Sequence, residues 1–327
     1  QWKYFPADMI LPPYYPLLKT MRDSDCGITV DENTIATDER NYIISHEYHD
    51  QLANEEDLLK LHPPVIQYDR ADTMAKFERI ANVIGDILPV QITGYSSYIT
   101  MWDKIARYRG VTPLLIDLAE RPEFTHKIVS TLADYEISKS EQMEREGLFE
   151  IAPLQLHCTS ALTSDLPGEY DGGTVKRNQV WGRGMAQIFA SVSKEMHEEF
   201  DINYMIKIME PFGLVYYGCC EPLDKKIDIV EKIPHLRKIS ITPWADIDNA
   251  AEIIGDRYVI ANKPNPSAVA RKLDEDEVRA EVGRTLKACK RNGCSCDIVL
   301  KDISSAGYDV RNLIRWEQIV MEMVENY

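Results

Sequence analysis

The chain has 327 residues, of which 44% are hydrophobic and 28% charged, a composition typical of a globular protein that can bury a large core. Its formal net charge of −16 would repel both a phosphate backbone and an anionic membrane surface, so we expect neither nucleic acid nor membrane as a partner. The sequence contains no run of 18 apolar residues, and we expect a cytoplasmic protein. It begins at Gln1 in a Pro/Tyr-rich stretch, which is compatible with a fragment whose upstream residues are missing.

The seven cysteines make an odd count in a long chain without a secretion signal. A disulfide framework is therefore not expected, and reduced thiols that are buried or bind metal are the default. Four of the seven lie in two pairs, Cys219-Cys220 and Cys294-x-Cys296. The clustering directs attention to these two pairs.

The first 70 residues have a different sequence pattern from the rest of the chain. Between Cys26 and Tyr48 the stretch GITVDENTIATDERNYIISHEY alternates β-branched and polar residues, which predicts a small antiparallel hairpin or meander. We expect residues 1–70 to form an N-terminal cap or extension of a single domain that spans residues 1–327.

From about Asp72 onward, amphipathic helical patterns alternate with short apolar runs. The candidate strands are ILPVQITG, IAPLQLHC, GLVYYGCC, LRKISITP, RYVIANKP and CDIVLKD. This alternation is typical of parallel βαβ units. Six or more such units without a glycine-rich nucleotide fingerprint favour an α/β fold of the (β/α)8 TIM-barrel type over a doubly wound sheet.

In such a barrel, catalytic and binding residues follow the carboxyl ends of the strands. The residues in these positions are Tyr95, His157, Cys158, Cys219, Cys220, Glu221, Trp244, Lys263, Asn265, Lys301 and Asp302. Cys296 lies near the start of its apolar run, which places it at the opposite end unless the strand is irregular there.

Each of these residues also has a structural interpretation. The thiols could pack as small apolar groups, and Glu221 could cap the helix that follows Pro222. Lys263 could bind an anionic substrate group or remain a solvated charge. Trp244 could form an aromatic wall, whereas for Asp246 we favour a helix cap at the start of DNAAEIIG.

Several stretches resemble the uroporphyrinogen decarboxylase superfamily, which includes the haem-pathway decarboxylase and zinc-dependent methyltransferases that act on corrinoid proteins. They include LPVQITGYSSYITMWD, LLIDLAERPEFTHKIVSTLADY, EEFDINYMIKIMEPFGLVYYGCCEPL and GDRYVIANKPNPSAVARKLDEDEVRAEVGRTLKACK, within residues 85 to 327. The resemblance implies a (β/α)8 barrel with its site in the mouth, and it makes a homodimer plausible.

The two branches of the superfamily leave different marks. The decarboxylases carry an RQAGR-type segment and a late Gly-His-Gly element, and neither occurs here. The methyltransferases carry a His-x-Cys and a later cysteine. The corresponding residues here are Tyr217-Gly218-Cys219 and Cys296, so that tyrosine stands where the family has histidine.

The resemblance therefore implies a zinc-dependent methyltransferase that moves a methyl group between a small methylated substrate or thiol and a corrinoid supplied by a partner protein. The implied metal ligands are Cys219, Cys220 and Cys296, with Glu221 or His157 as the further ligand. The expected catalytic residues are Glu221, Lys263 and Asp302. The expected substrate-binding residues are Tyr95, His157, Tyr217, Trp244, Asn265 and Lys301.

Two alternatives remain open at this stage. One is a metal-free lyase that decarboxylates a polycarboxylated or tetrapyrrole substrate, which cationic residues such as Arg177, Arg183 and Lys263 would favour. The other is a barrel that binds a corrinoid or tetrapyrrole without turnover.

Overall fold

The computed structural model describes residues 3–5, 7–36, 44–303 and 305–327. The strands are β1 Tyr15–Leu18, β2 Met21–Asp23, β3 Glu32–Ala36, β4 Ile44–Tyr48, β5 Ile66–Tyr68, β6 Val90–Thr93, β7 Gln155–Leu156, β8 Thr159–Ser160, β9 Trp181–Gly184, β10 Leu214–Tyr217, β11 Leu236–Ile241, β12 Val259–Asn262 and β13 Ser295–Ile298. The helices are α1 Arg70–Ile84, α2 Met101–Arg109, α3 Val111–Glu120, α4 Pro122–Glu146, α5 Lys194–His197, α6 Asn203–Met209, α7 Ile227–Val230, α8 Ile247–Ile254, α9 Ser267–Ala270, α10 Glu275–Asn292 and α11 Arg311–Glu325. A π-helical turn over Glu198–Ile202 joins α5 to α6.

The central feature is a five-stranded parallel sheet in the order β13-β12-β11-β10-β9. β1 and β6 form a separate parallel pair, and isolated parallel bridges join Tyr95 to Phe149 and Ile99 to Gly184. These observations confirm an α/β fold with a parallel sheet and helical connections. In the described part of the chain, however, strand pairing does not close an eight-stranded ring.

The N-terminal segment forms the predicted hairpin. β3 and β4 pair antiparallel over five residues, from Glu32 opposite Tyr48 to Ala36 opposite Ile44. Residues 37–43, between the two strands in the sequence, lie outside the described residues. β2 pairs with β5 within the N-terminal segment, whereas the pairing of β1 with β6 joins the segment to the remainder of the chain.

The two faces of the parallel sheet differ in chemistry because successive side chains of a strand point to opposite sides. The outer face contacts the helices and is apolar, with Val215, Ile239 and Ile260 in the main core. On β9 this face carries only glycines. A Cβ at Gly182 would lie 2.8 Å from the sulfur of Met209, and one at Gly184 would lie 2.8 Å from that of Met205, so α6 packs directly on the strand backbone.

The inner face is the side opposite the helices, and it is largely polar. Its polar and aromatic side chains include Trp181, Arg183, Tyr216, Lys238, Ser240, Lys263 and Asp297, linked by hydrogen bonds and by cation–ring contacts. Leu214 and Ala261 on the same face pack with Trp181 and Tyr216. A buried face of this kind needs internal partners for its charges. It is the surface on which functional groups can be gathered.

The helix ends follow their sequence signals. Asp246 caps α8, accepting hydrogen bonds from the backbone N–H groups of Asp248 and Asn249 at 3.0 and 3.3 Å, which confirms the predicted cap. Gly293 ends α10 in the left-handed conformation with φ of 71°. None of the helices described is both long and apolar enough to span a membrane.

Candidate active site

The thiol pair lies at the carboxyl end of β10. Gly218 follows the strand with φ of 101°, and a Cβ there would approach the side chains of Leu223 and Ser240 to 2.7 and 2.9 Å. Only glycine fits this turn. The turn places Cys219, which is 3% exposed, beside Cys220, with the two sulfurs 3.7 Å apart. We call this end of the sheet, on its inner face, the mouth.

The two thiols of the pair have opposite proton affinities. The hydrogen bond from Cys219 and the Lys301 ammonium, whose Nζ lies 2.9 Å from the Cys220 sulfur, lower the pKa of Cys220 to about 6 although burial opposes them. The same hydrogen bond, with burial, raises the pKa of Cys219 well above its usual range. The Lys301 ammonium therefore favours the thiolate on Cys220 and the remaining proton of the pair on Cys219.

Glu221 holds the turn that carries the thiols. Its carboxylate is fully buried and accepts hydrogen bonds from the backbone N–H groups of Ala186 and Cys219, both at 3.0 Å. Burial raises the pKa of this carboxyl group. Both oxygens are occupied by backbone donors, so Glu221 joins the loop after β10 to the loop after β9.

Lys263 lies just beyond β12 and is 1% exposed. Its ammonium donates to the hydroxyl groups of Tyr216 and Ser240, at 2.5 and 2.6 Å. Burial lowers the pKa of Lys263. Ser240 in turn donates to the backbone carbonyl of Cys219 at 2.9 Å, so the lysine and the thiol pair belong to one hydrogen-bonded unit.

Arg183 is the second buried cation of the mouth. Its guanidinium lies 4.1 Å from the ring centroid of Tyr98 and 5.4 Å from that of Tyr216. Tyr98 is 45% exposed, and its ring also stacks on His157 at 5.5 Å. The arginine is therefore close to the rim of the mouth, although it is itself buried.

Three possible metal ligands meet at the rim. The donor atoms of His157, Cys158 and Asp302 lie within 4.8 Å of one another, and this is the group of three or more such donors found among the described residues. His157 and Cys158 are the two turn residues between β7 and β8, and Cys158 has a φ of 62°, a sparsely populated conformation for a residue other than glycine. Its sulfur lies 3.6 Å from Asp302 Oδ1.

The structure corrects the expected position of Tyr217. Strand alternation turns its side chain to the outer face, where it is fully buried and its hydroxyl contacts His197 at 2.7 Å and Asp201 at 2.5 Å. Tyr216, its neighbour, faces the mouth instead. A substrate in the mouth would meet Tyr216 rather than Tyr217.

Cys296 is likewise not brought to Cys219 and Cys220. It pairs with Ile260 in the ladder, faces the helices, and interacts with Cys289 rather than with the thiols at the mouth. The register places it level with Tyr217 but three strands away, roughly 14 Å at the usual strand spacing. Zinc–sulfur bonds of about 2.3 Å cannot span this separation, so the predicted set of Cys219, Cys220 and Cys296 does not fit one metal ion.

The other predicted residues lie around the mouth or support it. Tyr95 donates its hydroxyl proton to the carbonyl of Lys19 at 2.6 Å. Asn265 accepts from the backbone of Ser267 at 3.0 Å. Trp244 is 62% exposed, and the Lys301 ammonium lies 5.1 Å from its ring centroid. Of these three side chains, Trp244 is the most accessible to a ligand.

Sequence reasoning missed Tyr98, named Cys158 only by its position after a candidate strand, and named Arg183 only as a cation that would favour the decarboxylase alternative. The stretch WGRGM that carries Arg183 has two glycines and no apolar run, so it did not suggest a strand. The glycine on each side of the arginine is the signal that could have been used. A strand whose outer face carries only glycines allows a helix to pack directly on its backbone.

The chain matches no protein-family model and no curated protein sequence. Among solved structures, a methyltransferase from Methanosarcina mazei is similar at 12% identity with a TM-score of 0.49, covering 92% of this chain and 76% of that chain. A B12-independent methionine synthase from Shewanella sp. W3-18-1, in complex with selenomethionine, is similar at 10% identity with a TM-score of 0.44 and the same coverage.

Proposed function

We propose that the protein is a methyltransferase of the uroporphyrinogen decarboxylase type, acting at the mouth. The observation that carries the proposal is the thiol pair after β10, in which Cys220 is ionised beside Lys301 and Cys219 keeps its proton. The ionised thiol of such a pair supplies a soft anion, and the protonated thiol stabilises it through a hydrogen bond. The sequence resemblance adds that the corrinoid-linked methyltransferases carry a cysteine at the place of Cys219.

The reaction we propose moves a methyl group between a small methylated substrate or thiol and a corrinoid supplied by a partner protein. When bound, a zinc ion would polarise the leaving heteroatom or lower the pKa of a thiol. His157, Cys158 and Asp302 fit such an ion better than the ligands expected from the sequence, because their donor atoms already lie within 4.8 Å of one another. Three protein ligands and an open position are the usual arrangement in catalytic zinc sites.

The chain's own residues would hold the charges and the backbone of the site. When a methyl group leaves, the heteroatom keeps the bonding electron pair and needs a proton, which solvent at the rim can supply, because the raised pKa of Cys219 makes its thiol a poor proton donor. Lys301 maintains the charge on Cys220, and Glu221 fixes the backbone of the turn. Trp244 at the rim offers an aromatic surface for the substrate or the partner.

The proposal is tested by methyl transfer to cob(I)alamin, followed through its absorbance spectrum, with methanol, methylamines, quaternary amines and aromatic methyl ethers as donors. We expect one donor class to yield methylcobalamin and Cys220→Ser to lower the rate at least a hundredfold. Cys294→Ser is the matched control, because a serine hydroxyl can keep the hydrogen bond of this thiol to Ala251. Equal rates in Cys220→Ser and the wild type would contradict the proposal.

A metal-free decarboxylation is the second candidate. The observation that favours it is the presence of two buried cations, Arg183 and Lys263, that form no ion pair among the described residues. Such cations can bind the carboxylates of a polycarboxylated substrate. Release of carbon dioxide in the presence of a chelator, without methyl transfer, would favour this reaction.

A further inference from the structure

Arg183 is a buried charge without an anionic partner. It is 1% exposed, and its Nε and Nη1 atoms have no hydrogen-bond partner. Its Nη2 atom contacts only the sulfur of Met185, at 3.7 Å, and a thioether is a weak acceptor. Burying a guanidinium in this way costs several kcal/mol unless an anion compensates it. The guanidinium of Arg183 is therefore available to bind an anionic ligand.

Lys263 is a second cation in the same position. Its ammonium binds only neutral hydroxyl groups, those of Tyr216 and Ser240. Both cations lie near the ring of Tyr216, whose centroid is 5.4 Å from the Arg183 guanidinium and 5.2 Å from the Lys263 ammonium. Two positive charges thus lie close to the same aromatic side chain.

A third buried cation on the inner face, Lys238, differs from these two because it has an anionic partner. Lys238 is also buried, but its ammonium forms an ion pair with Asp297 at 2.6 Å and donates to the carbonyl of Ser160. Lys238 is therefore neutralised by a carboxylate of the sheet, whereas Arg183 and Lys263 near the mouth are not. A ligand that binds at the mouth could supply the negative charge that these two cations lack.

We propose that Arg183 and Lys263 anchor a carboxylate group of the substrate. A carboxylate is planar and accepts two or more hydrogen bonds, which suits a guanidinium held against the rings of Tyr98 and Tyr216. Thr242 can add a donor, because its buried hydroxyl has no partner and it follows Ser240 by two residues on β11 and its extension.

This inference rests on the proposed function only in placing the substrate at the mouth. It narrows the substrate class to small molecules that carry a carboxylate in addition to the group that reacts. Neutral donors such as methanol or simple methylamines would leave both cations uncompensated. The carboxylate would bind at Arg183, beside the thiol pair that lies within the same hydrogen-bonded unit as Lys263.

The test is equilibrium binding by calorimetry at fixed ionic strength, with succinate, its uncharged diamide and inorganic phosphate as probes. We expect one succinate per chain, no heat from the diamide, and at least tenfold weaker phosphate. Arg183→Met and Lys263→Met should each weaken succinate at least tenfold. Arg237→Met is the control, because it removes the same charge from an arginine that pairs with Asp165 outside the mouth.

Folding of the variants is checked by thermal unfolding without ligand. We expect Arg183→Met to unfold at or above the temperature of the wild type, because it removes an uncompensated buried charge. Succinate binding that is equal in Arg183→Met and the wild type, or no tighter than that of the diamide, would overturn the inference. Phosphate that binds as tightly as succinate would overturn the assignment to a carboxylate. Because no turnover is measured, failure of methyl transfer leaves this result unaffected.

Discussion

A buried chain of hydrogen bonds behind β10 gives a prediction on pH and stability. Lys226 lies 3.3 Å from His197 Nδ1, the other ring nitrogen of His197 lies 2.7 Å from the Tyr217 hydroxyl, and Tyr217 donates to Asp201 at 2.5 Å. Burial, with the nearby Lys226 charge, lowers the pKa of His197 to about 3. Burial raises the pKa of Asp201 to about 7.

These two shifts cancel in the wild type. Between about pH 4 and 6.5 the folded His197 and Asp201 together hold one proton, and so does the unfolded pair, in which the histidine is charged and the carboxylate ionised. Protons bound are equal in the two states, so the pair adds almost no pH dependence to stability. The cancellation does not depend on which residue holds the proton.

Asp201→Asn removes the titration of Asp201 and leaves the pKa shift of His197 without an opposing shift. The folded variant then holds no proton on His197 above about pH 3, whereas the unfolded histidine holds one below about 6.5. A lowered histidine pKa gives stability that is complete above the unfolded value and is lost as the pH falls. At about 1.36 kcal/mol per pH unit, the variant should lose about 2–3 kcal/mol between pH 6.5 and 4.5 relative to the wild type.

Urea denaturation of both proteins at pH 4.5, 5.5, 6.5 and 7.5 measures this difference. Other titrating groups contribute equally to both proteins and cancel when the free energies of unfolding are subtracted. The control is Asp134→Asn on α4, where the carboxylate is exposed. A constant difference between Asp201→Asn and the wild type across this range would refute the reasoning.

Three further predictions concern the mouth. In chelator-treated protein, iodoacetamide should alkylate Cys220 before the other thiols, at a rate that rises through about pH 6, and Lys301→Met should slow this alkylation. Peptide mass spectrometry identifies the alkylated cysteine. Preferential alkylation of Cys294 would be inconsistent with the prediction. Glu221→Gln should lower the free energy of unfolding by about 1–3 kcal/mol, because an amide cannot accept from both backbone donors; an unchanged urea midpoint would argue against the clamp. Trp244→Ala should change stability by less than about 0.5 kcal/mol and raise KM, since the ring is exposed at the rim; a KM equal to that of the wild type would remove it from the substrate site.

Much of the fold could be predicted from the sequence because it rests on local patterns. Alternation between Cys26 and Tyr48 predicted the hairpin, and the apolar runs GLVYYGCC and LRKISITP predicted neighbouring parallel strands. These signals are strong because each strand is buried on its outer face by helices. The strand β9 was missed, since its outer face is glycine and its inner face carries Trp181 and Arg183.

The site was predicted only in part, for a reason of geometry. Sequence position shows where a strand ends, and this brought Cys219, Cys220, Lys263 and Lys301 to the mouth. It does not show which face a side chain occupies unless the register is known, because a shift of one residue exchanges the two faces. For this reason the sequence did not reveal that Tyr217 and Cys296 both face the helices. Contacts between distant segments, such as Cys158 with Asp302, leave no local pattern.

The central claim is that the functional groups are gathered at the mouth and that Cys296, which the family pattern joins to Cys219, is not one of them. Zinc per chain, measured by elemental analysis of wild type, Cys158→Ser, Asp302→Asn and Cys296→Ser purified without chelator, tests it most directly. We predict about one zinc in the wild type and in Cys296→Ser, and a loss in Cys158→Ser and Asp302→Asn. Zinc that is lost in Cys296→Ser and retained in Cys158→Ser would contradict the account.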